Sequence, residues 1–219
     1  MQILSPRAAY ELWAATYPAE AHNPLMAAEQ AIVERLLERI HGTRALDLGT
    51  GSGRYLAVLE ATGASAVGID LSMSMLARAR TLRNADGRQF RIACADAYRL
   101  PFRRGAFDLV NASLMVGDVA RLGDWTREVA RVLSRGGHFV YSDFHPTWTE
   151  RGWRRTFRAV DGRLRSVALE PHSFTDHLDA LADAGFEIRT IREPKLVVEG
   201  RSLPVVAVFH AVREGGAAR

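Results

Sequence analysis

The residues best able to do chemistry in this 219-residue chain lie in the run Ala45-Leu46-Asp47-Leu48-Gly49-Thr50-Gly51-Ser52-Gly53-Arg54. A buried strand runs into a turn with glycine at every second position, and a helix follows. Such a turn lets a ligand approach the backbone, because glycine has no side chain in the way and adopts dihedrals that other residues avoid. The amides at the following helix start suit a carboxylate or a phosphate. One strand-helix-strand unit later, Val67-Gly68-Ile69-Asp70 ends on an acid, where a carboxylate can accept both hydroxyls of a ribose. Cys94-Ala95-Asp96-Ala97 and Asn111-Ala112-Ser113 close two further strands.

Regular elements must bring these segments together. Two helices are expected ahead of the glycine turn, over 6–16 and opening at Asn23-Pro24, a favourable cap followed by proline. Ile32, Val33, Leu36, Leu37 and Ile40 give the second an apolar face, and His41-Gly42 stops it. From Arg44 the apolar period alternates between strand and helix, the pattern of a parallel sheet covered on both faces. Strands are expected over 44–48, 66–70, 90–94, 107–111 and 138–143, with helices over 54–62, 74–83 and 123–133. After Asp143 the rhythm breaks. Residues 145–172 read as a cap insertion with a hairpin turning at Asp161-Gly162. A helix over 175–184 ends at Gly185, and strands over 186–192 and 203–213 finish the sheet as an antiparallel pair. The tail 214–219 reads as disordered. A single domain results, organised as lid (1–42), core (43–144), cap (145–172) and C-terminal helix with strand pair (173–213).

Composition narrows the class. The net charge is +4 and the sequence pI about 9.7, but the basic residues are spread along the chain and are almost all arginine, Lys195 being the single lysine. That distribution is a solvated surface and does not favour nucleic acid. The lone Cys94 excludes an internal disulfide and a cysteine-based zinc site, so no metal is expected and a reducing, cytoplasmic setting fits. No run approaches the roughly 20 apolar residues of a membrane span.

In the order of its motifs the chain resembles the class I S-adenosylmethionine-dependent methyltransferases, across roughly 44–213. The acid-glycine motif, Asp70, Asp96-Ala97 and the closing antiparallel strands carry the likeness. Val132-Leu133-Ser134-Arg135-Gly136-Gly137-His138-Phe139 and Ala184-Gly185-Phe186 add the family's turns into the fifth and sixth strands. The resemblance implies a Rossmann-like, doubly wound, seven-stranded α/β sheet, mostly parallel, with an N-terminal helical lid and S-adenosyl-L-methionine as cofactor. By it, Asp47, Gly49, Gly51 and Gly53 cradle the methionine part, and Asp70 takes the ribose with Leu71 and Met75 nearby. Asp96 and Ala97 flank the adenine, while Ala112 and Ser113 close the sulfonium side. Tyr10-Glu11-Leu12-Trp13-Ala14-Ala15-Thr16-Tyr17 resembles the lid of the small-molecule methyltransferases of quinone and biotin-precursor biosynthesis. It implies a small-molecule acceptor, with Tyr17 against the cofactor and Tyr10 and Trp13 against the acceptor. The same aromatic residues also have the spacing of a simple packing stripe.

Methyl transfer needs alignment in a dry pocket, and a general base only where the nucleophile carries a proton. His145, at the carboxyl end of the fifth strand, is the expected base, and His172 an expected acceptor contact, with His177 near it. Arg154, Arg155 and Arg158 would pair with an anionic acceptor or are simply solvated. Two other activities share some of these features. A nicotinamide dehydrogenase would carry Gly-x-Gly-x-x-Gly in place of the spacing here. An RNA methyltransferase keeps the cofactor site, but amino-directed base methylation lacks its Asn/Asp-Pro-Pro-aromatic motif, since Asn111-Ala112-Ser113-Leu114 stands there. The assembly expected is a monomer or homodimer.

Overall fold

The computed structural model describes residues 1–18 and 20–215; of the tail expected to be disordered, 216–219 lie outside the described residues. A short strand, Gln2–Leu4 (β1), leads into helix Pro6–Trp13 (α1) and a 3₁₀ turn over Ala14–Thr16. Helix Pro24–Leu37 (α2) starts where Asn23 Oδ1 accepts the Met26 amide at 2.9 Å, with proline in the first turn, where its missing N–H costs nothing. The core then alternates: Arg44–Leu48 (β2), Leu56–Ala61 (α3), Ser65–Asp70 (β3), Met73–Ala79 (α4), Arg91–Cys94 (β4), Phe107–Ala112 (β5), Leu122–Val132 (α5) and Leu133–Phe144 (β6). The cap holds a single helical turn, Thr147–Glu150 (α6), and the hairpin Thr156–Arg158 (β7) and Leu164–Val167 (β8). Helix Phe174–Asp183 (α7) and strands Phe186–Arg192 (β9), Lys195–Val198 (β10), Arg201–Pro204 (β11) and Val206–Arg213 (β12) complete the chain.

Seven strands form the central sheet in the order β4-β3-β2-β5-β6-β12-β9. Those from β4 to β6 pair in parallel, and β12 runs antiparallel to both neighbours, as the sequence predicts. Apolar side chains on both faces hold the helices. Val33, Leu37, Leu56 and Leu59 pack on one face, and Trp125, Val129, Phe139 and Leu181 on the other. The strand order reverses between β2 and β5, so the crevice beyond their carboxyl ends is a switch point where doubly wound sheets place ligands.

Two features depart from the sequence reading. The strand expected over 203–213 breaks at Val205, because Pro204 has no N–H for a continuous ladder. Its first part pairs with β10 in a separate hairpin whose turn residues, Glu199 and Gly200, both have positive φ, as a type I′ turn requires. The other is β1, which pairs in parallel with β8 and stitches the N-terminus to the cap.

Candidate active site

At the switch point Gly49 and Gly51 take φ values of 69° and 56°. A Cβ on Gly49 would stand 2.8 Å from Met115 Cβ, so the turn admits no larger residue there. Gly53 is different. Its hydrogen packs towards Leu82 and Ala79, and it closes the turn onto α4 without reaching the crevice. Beneath the turn lies Asp47, 2% exposed, accepting from Thr50 Oγ1 at 2.6 Å and Asn111 Nδ2 at 2.8 Å. Burial raises its pKa to about 6 against the lowering effect of those two donors. Asp47 therefore braces the loop from below, and it is not on the cavity wall where cofactor contact would put it.

Asp70 does face the crevice. Its Oδ2 accepts the Gly51 amide and its Oδ1 the Ser72 amide, both at 2.8 Å, so the carboxylate is fixed while lone pairs remain for hydroxyl donors. Burial raises its pKa, and the two amides oppose that.

The crevice opens into a cavity of about 780 Å³, within the range for small-molecule sites. Gly49, Gly51, Asp70, Leu71, Met75, Asp96, Ala97 and Ser113 all line it. Ala112 is fully buried behind the wall. Past Ser113, Leu114 has φ of 54°, a strained value for leucine, and its amide is held by Ser142 Oγ at 2.8 Å.

The lid aromatics both pack and line the cavity. Trp13 stacks on Phe157 of the cap at 4.9 Å between ring centroids and meets Tyr17 edge-on at 4.9 Å. Tyr10, Trp13 and Tyr17 all border the cavity. Glu11 accepts a hydrogen bond from Ser74, tying α1 to the helix after Asp70. Further along, Phe144, Trp148, Trp153, Leu196 and Val198 make the opposite half of the cavity apolar. The sequence reading named the cap that carries Trp148 and Trp153 but missed the separate β10–β11 hairpin that supplies Leu196 and Val198, which carries no signal beyond Glu199-Gly200.

Of the three cap arginines, Arg155 lies inside. It is 8% exposed and pairs with Asp118, while its Nη1 donates to the Tyr10 hydroxyl at 2.9 Å. Burial pushes the Tyr10 phenol pKa well up, with Arg155 opposing, so Tyr10 stays protonated. Arg154 lies on the cavity rim, whereas Arg158 turns to the hairpin carbonyl of Gly162.

The three expected histidines lie elsewhere. His145 engages Thr147 Oγ1 at 2.6 Å through Nδ1 and Glu193 at 2.9 Å through Nε2, which leaves neither nitrogen free and sets the ring off the cavity. His172 Nε2 meets the Val119 carbonyl at 2.8 Å, also off the cavity, and His177 is buried between Tyr141 and Asp143. Neither His145, the expected base, nor His172, the expected acceptor contact, lines the cavity, whose wall nearby is formed by Phe144 and Val119. His22 is the histidine on the cavity, against Tyr17 and Trp13. Nothing in its surrounding sequence, Ala21-His22-Asn23, sets it apart from a loop residue.

A doubly wound sheet with a glycine turn, a ribose-type acid and a cavity over its switch point defines a Rossmann-like nucleotide-binding protein. Residues 46–141 match the family described as a methyltransferase domain. A demethylmenaquinone methyltransferase of Parafrankia is 31% identical over 211 residues, covering 83% of this chain and 82% of that protein. A biotin biosynthesis bifunctional protein of Cellvibrio japonicus is 33% identical over 146 residues, covering 63% of this chain, which in turn spans only 28% of that longer protein. A crystal structure of an S-adenosylmethionine-dependent methyltransferase from Mesorhizobium loti superposes with a TM-score of 0.69 at 27% identity, over 85% of this chain and 98% of that one. The chain belongs to the S-adenosylmethionine-dependent methyltransferases.

Proposed function

We propose that the protein transfers a methyl group from S-adenosylmethionine to an oxygen, nitrogen or carbon nucleophile on a small, largely apolar molecule. The observation that carries this reading is one cavity of about 780 Å³ bordered both by the glycine turn and Asp70 and by the apolar side chains of Phe144, Trp148, Trp153, Leu196 and Val198. The cradle fits the methyl donor, because Gly49 and Gly51 border the cavity with no side chain between backbone and ligand and Asp70 is a fixed acceptor for a ribose. S-adenosylmethionine supplies an electrophilic methyl on a sulfonium. The Gly49–Gly51 backbone holds its amino acid end, Asp70 accepts the ribose hydroxyls, and Ala97 with Asp96 borders the adenine. Ser113 and Leu114 wall the sulfonium side, and the Ser142 contact fixes that wall. Tyr10, Trp13 and Tyr17 exclude water, so alignment in a dry site is the chain's main contribution. Where the nucleophile carries a proton, His22 is the imidazole placed to receive it.

The names of the relatives, one acting on demethylmenaquinone and one in biotin biosynthesis, support quinol-like or acyl-type acceptors, which the apolar half suits. No helix among the described residues is long and apolar enough to cross a membrane. We read the chain as one domain of lid, core, cap and strand pair, acting in the cytoplasm as a monomer or homodimer. Incubation with S-adenosylmethionine and a panel of naphthoquinols and malonyl thioesters, read by S-adenosylhomocysteine release and product mass, tests the activity. A mass gain of one methyl on one acceptor supports it, and a protein that fails to bind S-adenosylmethionine in calorimetry refutes it.

A further inference from the structure

Two residues other than glycine take a positive φ among the described residues, and only one of them has a turn to explain it. Glu199, at 51°, sits in the β10–β11 hairpin turn, which requires that conformation. Leu114, at 54°, lies between the end of β5 and the 3₁₀ turn Val116–Asp118, where no hairpin requires it. A left-handed backbone crowds a leucine Cβ against the following carbonyl oxygen and disfavours that state by about 5- to 30-fold. Something in the fold must hold it.

Ser142 is that hold. From β6, the strand beside β5, its Oγ accepts the Leu114 amide at 2.8 Å and donates to Glu29 Oε1 at 2.8 Å. Ser142 and Glu29 are both fully buried. A carboxylate paired with a guanidinium, as Glu29 is with Arg54 Nη2 at 3.2 Å, offers only lone pairs, so the serine proton points to Glu29 and a serine lone pair is left for Leu114. Glu29 also receives the Tyr55 hydroxyl at 2.7 Å, which fixes the carboxylate. The consequence falls on the next residue. Met115 packs over the glycine turn so closely that a Cβ on Gly49 would lie 2.8 Å from its own Cβ, and Ser113, Leu114 and Met115 all line the cavity with Gly49 and Gly51. A Leu114 relaxed to an ordinary backbone region would swing its φ by more than about 100° and redirect Met115 away from Gly49.

We propose that Leu114 is a positioning residue of the donor site: Ser142, aimed by Glu29, holds its left-handed backbone, and that backbone sets Met115 against the glycine turn and shapes the seat of the cofactor. The inference rests on the reading of this crevice as the donor site and deepens it. A double-substitution cycle read by calorimetric binding of S-adenosylhomocysteine tests it. Ser142→Ala releases the amide and weakens binding by about 5- to 30-fold, the penalty of the unheld left-handed state. In the Leu114→Gly background the same Ser142→Ala costs less than about twofold, because glycine keeps that conformation unaided. Thermal stability does not follow. The doubly substituted protein melts no higher than Ser142→Ala, since glycine adds chain entropy to the unfolded state and the leucine side chain is lost from the core around Val33 and Leu37. A purely structural role for Ser142 would make binding track the melting temperature. Should Ser142→Ala fold poorly, Leu114→Val and Leu114→Asn with Ser142 intact decide the point: the branched side chain resists the left-handed region and weakens binding, whereas asparagine tolerates it and keeps binding within about twofold. The same loss from Ser142→Ala in both backgrounds, no loss in the Leu114 background, or equal effects of Leu114→Val and Leu114→Asn overturns the proposal. Wild-type protein that binds no S-adenosylhomocysteine overturns the donor site itself, a separate result.

Discussion

Replacing Asp47 by asparagine isolates the buried carboxyl under the glycine turn. In the folded chain its pKa rises from 3.8 to about 6, because burial penalises the charged form more than Thr50 and Asn111 support it. A raised acid takes up its proton more readily folded than unfolded, so protonation stabilises the fold at low pH, and that stabilisation is lost as pH rises through 6. Between pH 4.5 and 7.5 the loss is about 2 kcal/mol. The Asp47→Asn variant carries no such titration. The carbonyl of the new side chain can accept from Asn111, and its amide can donate to the Thr50 hydroxyl, which accepts as well as donates. Urea melts of both proteins at half-unit steps over this range give the difference, in which Asp108 and the other carboxylates cancel. The expected outcome is that the variant gains about 2 kcal/mol on wild type as pH rises from 4.5 to 7.5. A flat difference, or one moving the opposite way as for a carboxylate with a depressed pKa, would refute the buried, desolvated description of Asp47.

Other substitutions separate the parts of the site. Gly49→Ala, at φ of 69° and against Met115, should abolish detectable S-adenosylmethionine binding by calorimetry while the far-ultraviolet dichroism stays native. His145→Ala should leave turnover within about twofold, since its nitrogens serve Thr147 and Glu193, whereas His22→Ala should lower kcat on any proton-bearing acceptor by roughly 100-fold; the reverse ranking would restore His145 as base. Arg155→Ala leaves Asp118 buried without its cation and should cost about 3–5 kcal/mol in chemical denaturation, and a loss below about 1 kcal/mol would mean that water reaches the pair.

The fold and the residues bordering the crevice at the glycine turn were legible because each rests on local signals. The glycine turn, Asp70 and Ala97 sit at strand ends, where the change from strand to helix period fixes both the element and its exit, and the crevice follows from strand order. The apolar part of the cavity has no such grammar. Leu196, Val198, Trp148 and Trp153 reach the cavity through a hairpin and a single helical turn whose placement depends on Pro204 ending a ladder and on Trp148 donating to the Val205 carbonyl. His145 sits off the cavity for a related reason: it follows the end of β6, but Thr147 and Glu193, the latter distant in sequence, engage both nitrogens of its ring. His22 and the Arg155–Asp118 pair join segments far apart in sequence, contacts that no periodicity announces.

A crystal structure with S-adenosylhomocysteine bound would bear on the whole donor site at once. The ribose hydroxyls are expected on the Asp70 carboxylate, the amino acid end over Gly49 and Gly51, the adenine against Ala97, and the sulfur facing Ser113 and Leu114. A ligand seated elsewhere in the cavity, or one whose ribose leaves Asp70 untouched, would contradict the assignment of this crevice as the methyl-donor site.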